Sequence, residues 1–335
     1  MFPKVSILVP IYGVENFIAR CAKSLFEQSF ENLEYIFVND CTLDNSIEIL
    51  NNVITRYPHR KNQIRIIEND HNKGIGETRN TLVSNASGDY VLFVDSDDYL
   101  EINLVELMYA KALQEDADIV VCDIWIEWQN YRTLAVQKVG ETKVDFLQLL
   151  LSAKTMLGLP NKLIKRNLFI ENDISVPRGI NYGEDFLIVS KLVYFARRIT
   201  KVDSPLYHYL QTNPESYTTK KLSKNSIDNV IFVLNDLTGF FSNKEDYHLY
   251  EVALLRGKLR KKMDLLFYAE IAYLDELIKL FPETNHMKDT SFLLQRDKII
   301  FEMIKKKYLK VFLVYRFIYV KLYNLKLKLV PNNLR

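Results

Sequence analysis

Short apolar runs alternate with helical spacings along the first part of the chain. Apolar runs bounded by turn residues predict buried strands at 5–9, 35–38, 64–67 and 90–94. Apolar residues recurring every three or four positions predict helices at 15–28, 44–56 and 77–84. Strands that alternate with helices pair in parallel, because each helix carries the chain back to the same edge. The pattern therefore predicts a doubly wound α/β sheet covered on both faces.

The pattern is less regular beyond residue 100 and ends as helix alone. We expect helices at 103–113 and 162–169, a helix ending at 195, an edge hairpin at 125–139, and strands at 119–122, 199–202 and 206–209. From about residue 222 only helical spacing is found, with no Gly-rich or Pro-rich linker. We predict an α/β domain over 1–215 and a helical region over 216–335.

Polar residues follow three of the predicted strands directly. They are Pro10-Ile11-Tyr12, Asn39-Asp40 and Asp95-Ser96-Asp97. In open parallel sheets, ligands bind beyond the carboxyl ends of the strands. We therefore expect these clusters to meet at one edge of the sheet.

Three carboxylates, Asp95, Asp97 and Asp98, crowd together where the fourth strand ends. A divalent cation would remove their repulsion, and hard oxygen ligands favour Mg²⁺ or Mn²⁺ completed by substrate phosphates. The alternative is a turn that caps the helix near residue 103. A similar pair, Asp116 and Asp118, precedes a strand and is interpreted as a solvated turn.

Four segments in fixed order carry a family resemblance: VSILVPIYGVENFI, YIFVNDCTLDNSIEIL, NKGIGETRNTLVSNASGDYVLFVDSDDYL and NYGEDFLI. Together they resemble the inverting family 2 glycosyltransferases of the GT-A fold, of the type that builds bacterial polysaccharides, capsules and O-antigens. The resemblance is ungapped over residues 4–100 and looser to about residue 215. It implies a metal-dependent transfer of a sugar, a hexose or an N-acetylhexosamine, from a UDP-sugar to a saccharide hydroxyl.

The resemblance also implies a role for individual residues on the donor side. Asp40 matches the acid that hydrogen-bonds uracil, Pro10 and Tyr12 would lie along the nucleoside, and Glu15 is a further candidate for that pocket. Arg79 matches an arginine near the nucleotide, where it would reach phosphate or base. Asp95, Ser96 and Asp97 match the DxD motif, with Asp97 as the metal ligand and Asp95 nearer the ribose; the ion would be Mn²⁺ or Mg²⁺. His208 would be a further metal ligand, although a lone histidine among aromatic residues is more often packed. The family more often has two acids where this chain has Asn39-Asp40.

The segment around Glu184-Asp185 carries the expected base. Inverting displacement needs a group that takes the proton of the attacking hydroxyl. Asp185 matches that base, and Glu184 would help to place the acceptor or the base. The alternative for both is an ordinary cap at the start of a helix. Lys162 resembles a position near the acceptor.

The C-terminal segment is strongly basic. The net charge of +2 gives no indication of nucleic-acid binding, yet residues 305–335 hold nine Lys or Arg and no Asp or Glu. Drawn as a helix, 305–330 is amphipathic, with Lys306, Lys310, Lys321 and Lys328 near one line, which suits a helix lying on anionic lipid. The alternative is a helix packed on the body or on a second subunit.

A membrane-surface tail would bring the enzyme to a lipid-linked, polyprenyl-diphosphate acceptor. An odd number of cysteines without a CxxC pair indicates reduced thiols, so we expect a cytoplasmic, peripheral membrane protein.

Two other functions remain open from the sequence. A sugar nucleotidyltransferase shares the sheet and the metal, but it needs a Gly-rich basic loop after the first strand, where this chain has VPIYGVENF. An inactive scaffold that binds membrane or partners through its helical end is the other. The intact Asp40, Asp95, Asp97 and Asp185 argue against it.

Overall fold

The structure is a computed structural model that describes residues 3–213 and 222–329, with side chains described to residue 319 and at residue 321. Its strands are β1 (Val5–Ile11), β2 (Leu33–Asn39), β3 (Ile64–Glu68), β4 (Tyr90–Phe93), β5 (Tyr99–Leu100), β6 (Ile119–Glu127), β7 (Arg132–Ala135), β8 (Lys162–Lys165) and β9 (Ile199–Leu210). The α/β helices are α1 (Ile18–Phe26), α2 (Ser46–Ile54), α3 (Gly74–Asn85), α4 (Leu104–Glu115), α5 (Lys143–Leu151), α6 (Asn167–Glu171) and α7 (Glu184–Phe195). The C-terminal helices are α8 (Lys224–Ser242), α9 (Glu251–Tyr268), α10 (Leu274–Lys279), α11 (Gln295–Lys305) and α12 (Leu309–Leu329).

These strands form one mixed sheet in the order β3-β2-β1-β4-β8-β6-β9-β5, with β7 paired to β6. The first four strands are parallel, as predicted: β1 lies between β2 and β4, and β3 follows at the edge. Parallel neighbours end together, so the carboxyl ends of β1, β2 and β4 form a single rim. The predicted α/β fold with a helical C-terminal region is confirmed.

The two faces of the sheet carry separate cores, because successive side chains of a strand point to opposite faces. Ile7 and Val9 of β1 belong to the core covered by α1, α2 and α4. Leu8 belongs to the other core, which continues through α3, α5 and α7 into the C-terminal helices. Leu237 of α8 and Leu266 of α9 are completely buried in it. The predicted division at residue 215 falls in 214–221, outside the described residues, and stays a prediction.

Two predicted elements are wrong in part. Residues 162–165 form β8 instead of a helix, and only Asn167–Glu171 is helical. The cause is tertiary: β8 is buried between β4 and β6 and pairs antiparallel with both. The strands predicted at 199–202 and 206–209 are one strand, β9, whose register shifts beside Asp123.

The end of the chain packs on the body through one face. Phe312 of α12 is buried, and Arg316 donates to the carbonyls of Phe267 and Ala269 at the end of α9. Lys328 lies outside the residues whose side chains are described. Within the described part of the chain, no helix combines the length and the apolarity that crossing a bilayer requires.

Candidate active site

A cavity of about 630 Å³ opens at the rim formed by β1, β2 and β4. Nine of the predicted site residues line it: Pro10, Tyr12, Asp40, Arg79, Asp95, Ser96, Asp97, Glu184 and Asp185. The alternative assignment of Asp95–Asp98 as a cap of the next helix does not hold, because Asn103 is the residue that precedes α4. Residues from the start, the middle and the end of the α/β region thus converge, as the three polar clusters predicted.

The acidic turn after β4 is braced from β9 and the segment that follows it. The amide of Asp95 donates to the hydroxyl of Tyr207 (3.2 Å), and that hydroxyl donates to Asp98 (2.7 Å). Asp98 also accepts the amide of Leu210 and is completely buried. Asp98 is therefore structural: it fixes the turn that presents its two neighbours, Asp95 and Asp97, to the cavity.

Asp97 has the properties of a carboxylate that needs a counterion. Burial, followed by the charge of Asp95, raises the pKa of Asp97 to about 6. Its Oδ2 accepts a hydrogen bond from the side-chain Nδ2 of Asn213 (2.8 Å). Hard carboxylate oxygens fit Mg²⁺ or Mn²⁺, which usually take one or two protein carboxylates and fill their other positions from substrate and water. The described residues contain no group of three or more His, Cys, Asp or Glu that could hold a metal ion.

Arg79 is an ion-pair hub. It lies on α3, is 4% exposed, and bonds to Glu184 and Asp185 through Nη1 and to Asp95 through Nη2 (3.2 Å). The predicted contact between Arg79 and the nucleotide stays a prediction; Arg79 lines the cavity, and its Nη1 and Nη2 bond to these carboxylates. Arg79 thus links the acid of the metal turn to both acids at the start of α7.

The acids at the start of α7 differ in accessibility. Glu184 is buried, whereas Asp185 is partly open to the cavity. Burial raises the pKa of Asp185 to about 7, although the charge of Arg79 opposes this shift. Gly183 precedes them with φ +83, a left-handed conformation that favours glycine. A carboxyl group that titrates near neutrality and faces a cavity suits general-base chemistry.

Asp40 joins the end of β2 to the start of α3. Its Oδ1 accepts from the amide of Lys73 and the side chain of Asn69, and its Oδ2 accepts from the amide of Gly74, each at 2.8 Å. Each carboxylate oxygen can accept more than one hydrogen bond. Asp40 is therefore held rigidly, and its Oδ2 retains capacity for a donor such as an imide N–H.

Two asparagines that the sequence did not single out connect these parts. Asn181 Oδ1 accepts the amide of Gly76 (3.0 Å) on α3. Asn229 Oδ1, buried on α8, accepts the amides of Asn181 (2.8 Å) and Tyr182 (3.1 Å). The loop that leads into Glu184 is thus fixed by the C-terminal helices. No local motif marks Asn229, since its partners lie about fifty residues away in sequence.

Lys162 braces another wall of the cavity. Its ammonium group is buried and donates to the carbonyls of Met156 and Gly158 and to Asn161 Oδ1. Burial lowers the pKa of Lys162 to about 8. Lys162 thus holds the cavity-lining segment around residue 157.

Three sequence interpretations need correction. Glu15 does not line the cavity: its carboxylate accepts from the amide and side chain of Asn45. His208 lies outside the cavity too, and its ring nitrogens face Glu127 (2.7 Å) and Glu101 (3.0 Å), which leaves no nitrogen for a metal. Asp118, interpreted as solvated, is 2% exposed and pairs with Lys165.

Comparison with known proteins agrees with this arrangement. Residues 6–170 match the model of glycosyl transferase family 2. The putative glycosyltransferase EpsH of Bacillus subtilis is 31% identical over 214 residues, which cover 62% of this chain and 60% of that protein.

Two solved structures share the fold. TarS 1–349 of Staphylococcus aureus, in complex with UDP-GlcNAc, has a TM-score of 0.71 at 20% identity and covers 95% of this chain and 92% of its own. The mannosyltransferase PcManGT of Pyrobaculum calidifontis, in complex with GDP-Man and Mn²⁺, has a TM-score of 0.56 at 14% identity, over 95% of this chain and 88% of its own.

The alignment with EpsH thus reaches less than two thirds of that relative's length. The family match includes the acids that follow β2 and β4 at the rim. Residues 6–170 of this chain therefore belong to glycosyl transferase family 2.

Proposed function

We propose that this protein transfers a sugar from a UDP-sugar to a hydroxyl of a saccharide acceptor, with inversion at the anomeric carbon. One observation carries the proposal. Asp95 and Asp97 line the same cavity as Asp185, and Arg79 joins Asp95 to Asp185. A cation-binding pair and a base that line one cavity are the two groups that an in-line displacement needs.

On the donor side, Tyr12 and Asp40 receive the nucleoside, with Asp40 accepting the imide N–H of uracil. Asp97 and Asp95 hold Mn²⁺ or Mg²⁺, which supplies positive charge to the leaving diphosphate when bound. The acid turn is rigid because Asp98 is fixed between Tyr207 and Leu210. That rigidity lets the turn bind an ion without reorganisation.

On the acceptor side, Asp185 takes the proton of the acceptor hydroxyl. The acceptor oxygen forms a bond to the anomeric carbon as the bond from that carbon to UDP breaks, and one such step inverts the centre. Arg79 orients the carboxyl group of Asp185 and balances its charge, and Glu184 holds the same guanidinium. We expect the transferred group to be a hexosyl or N-acetylhexosaminyl group, since a TarS structure contains UDP-GlcNAc.

The test is a screen of UDP-sugars, UDP-GlcNAc included, for UDP release that depends on Mn²⁺ or Mg²⁺. Asp185→Asn should leave UDP binding intact and lower turnover at least about a hundredfold, because the base is lost and the shape is kept. Loss of UDP binding in Asp185→Asn would contradict the role assigned to Asp185.

The exposed face of α12 supports a cytoplasmic, membrane-surface location. Opposite Phe312 and Arg316, this face presents Val314 (59% exposed) and Phe317 (68% exposed) between Lys310 and Lys321. Apolar side chains flanked by lysines suit an anionic bilayer surface. Such a site would bring the cavity to an acceptor linked to a polyprenyl diphosphate, in the synthesis of a cell-surface polysaccharide.

Vesicle binding tests this location. The full chain should sediment with phosphatidylglycerol vesicles at low salt and not with phosphatidylcholine vesicles. At about 1 kcal/mol per basic residue, neutralising Lys310 and Lys321 with glutamine should weaken binding about 30-fold. The same change at the exposed Lys61 and Lys288 is the control. Equal effects of the two pairs would exclude α12 as the contact.

A further inference from the structure

The cavity extends past the acids into a lobe formed by the C-terminal helices. Val230, Val233 and Leu234 of α8 form an apolar wall, and Lys261 of α9 stands beside it. The spacing of the three apolar residues puts them on one face of α8. None of the roles given above to donor, metal or base uses this lobe.

The lobe adjoins the start of α7. A Cβ placed on Gly183 would lie 3.7 Å from Val233, so α8 packs directly against the residue before Glu184. Asn229, one turn away on α8, holds the same loop. The lobe therefore lies next to the residues that precede the proposed base, Asp185.

In the part of the chain that the structure describes, Lys261 differs from the other basic residues of α9 in having no hydrogen-bond or ion-pair partner. The others bond as follows: Arg256 to Asp289, Lys258 to Glu283, Arg260 to the carbonyl of Ala153, and Lys262 to Asn285. Among the described residues, no hydrogen bond or ion pair within 4.0 Å engages Lys261. Asp264, three residues along α9, interacts with its charge at longer range and is itself paired with Arg296.

The position of Lys261 is fixed although its head group is not engaged. Arg260, the preceding residue, anchors α9 to the carbonyl of Ala153 at 2.8 Å. Gly257 approaches the carbonyl of Leu151 so closely that a Cβ would lie 2.0 Å from it. The helix therefore holds Lys261 against the cavity and the segment that follows α5. A half-buried, unpaired ammonium group at a cavity wall favours an anionic ligand.

The charge balance of the cavity points the same way. Two cationic side chains line it in the described structure, Arg79 and Lys261. Arg79 is neutralised by Asp95, Glu184 and Asp185. Of these two, Lys261 is thus the lining cation that remains for a ligand.

We propose that Lys261, with the wall of Val230, Val233 and Leu234, binds a phosphate ester of the acceptor while the acceptor hydroxyl lies at Asp185. The inference rests on the proposed glycosyl transfer and adds to it the acceptor's chemical class. The phosphate has two possible sources. It belongs either to a prenyl diphosphate carrier or to the backbone of a polyol-phosphate chain, and the apolar wall suits the prenyl carrier in particular.

Binding measured with the donor side filled tests this site. The full chain is saturated with UDP and Mn²⁺ and then titrated with farnesyl diphosphate or with a glycerol-phosphate trimer. Farnesol and glycerol are the matched neutral probes. We expect the phosphate probes to bind at least about tenfold more tightly than their neutral counterparts, the effect of one charge-assisted contact. Lys261→Gln should remove that advantage and Lys261→Arg should keep it, while UDP affinity stays unchanged in both.

Each outcome supports or overturns the proposed phosphate site. A preference for farnesyl diphosphate identifies a lipid carrier, and a preference for the glycerol-phosphate trimer identifies a polymer acceptor. Normal UDP binding without a phosphate preference, or a preference that survives Lys261→Gln, overturns the site and leaves the proposed function standing. Failure of UDP to bind with Mn²⁺ counts against the proposed function itself. Lys288→Gln, at an exposed position, controls for a general loss of charge.

Discussion

Asn229 offers a test of how the C-terminal helices control the chemistry. Asn229→Ala removes the oxygen that accepts the amides of Asn181 and Tyr182, just before the acids of α7. These two amides lose a buried partner. The loop then has no fixed position relative to α8, and the carboxyl group of Asp185 is displaced from its place in the cavity.

The magnitudes follow from the two lost hydrogen bonds. Each buried N–H left without an acceptor costs about 1–3 kcal/mol, so the free energy of unfolding should fall by roughly 2–6 kcal/mol. In a chain of this size each kcal/mol lowers Tm by about 2 °C. Misplacing a reacting group by about 1 Å costs up to a hundredfold in rate, so kcat for UDP release should fall about tenfold to a hundredfold. The KM of the donor should change less than kcat, because Asp40 keeps its own hydrogen bonds to Lys73 and Asn69.

A matched pair of variants separates positioning from stability. Asn80 braces the same loop further upstream, with hydrogen bonds in both directions to the backbone of Val176. Asn80→Ala should therefore cost similar stability while leaving kcat within about threefold of wild type. Asn229→Asp keeps an accepting oxygen and should recover most of the activity. Equal kcat in Asn229→Ala and Asn80→Ala would refute the reasoning.

Three further predictions concern the cavity and its surroundings. Because the pKa of Asp185 is raised to about 7 and the base must be unprotonated, kcat/KM at saturating Mn²⁺ should fall about tenfold per pH unit below pH 7; a profile flat from pH 5 to 8 contradicts this. Arg79→Met removes the cation from three carboxylates and raises their pKa, so this limb should move to higher pH; a raised KM for the donor with an unmoved limb would indicate a nucleotide contact instead. His208→Phe keeps the ring stacked on Tyr99 but deprives two glutamates of their partner, so Tm should fall while the Mn²⁺ dependence of activity stays that of wild type.

The spacing of apolar residues predicted those strands and helices that depend mainly on local sequence. The order of strands and helices through β4 follows from apolar spacing, and parallel pairing follows from the alternation itself. The strand at 162–165 was predicted as a helix because four residues with two apolar positions fit either element. Its place between β4 and β6 decides the matter, and no local pattern records that place.

The same distinction holds for the cavity. Residues that directly follow a strand were predicted to lie on the rim, and Asp40, Asp95 and Asp97 do line it. The environment of Arg79 could not be predicted, since its partners come from a turn sixteen residues ahead and a helix more than a hundred residues ahead. Lys261 and Asn229 were not predicted as site residues for the same reason. Helices α8 and α9 reach the cavity only through the packing of the core that continues into the C-terminal helices.

The most direct test of the central claim is calorimetric titration of the protein with UDP. The acids after β4 are held to bind a divalent cation that in turn binds the diphosphate. UDP should therefore bind with Mn²⁺ present and bind at least about tenfold more weakly after chelation or in Asp97→Ala, while Asp116→Ala, at an exposed acid, behaves as wild type. Equal UDP affinity with and without Mn²⁺, unchanged by Asp97→Ala, would contradict the account.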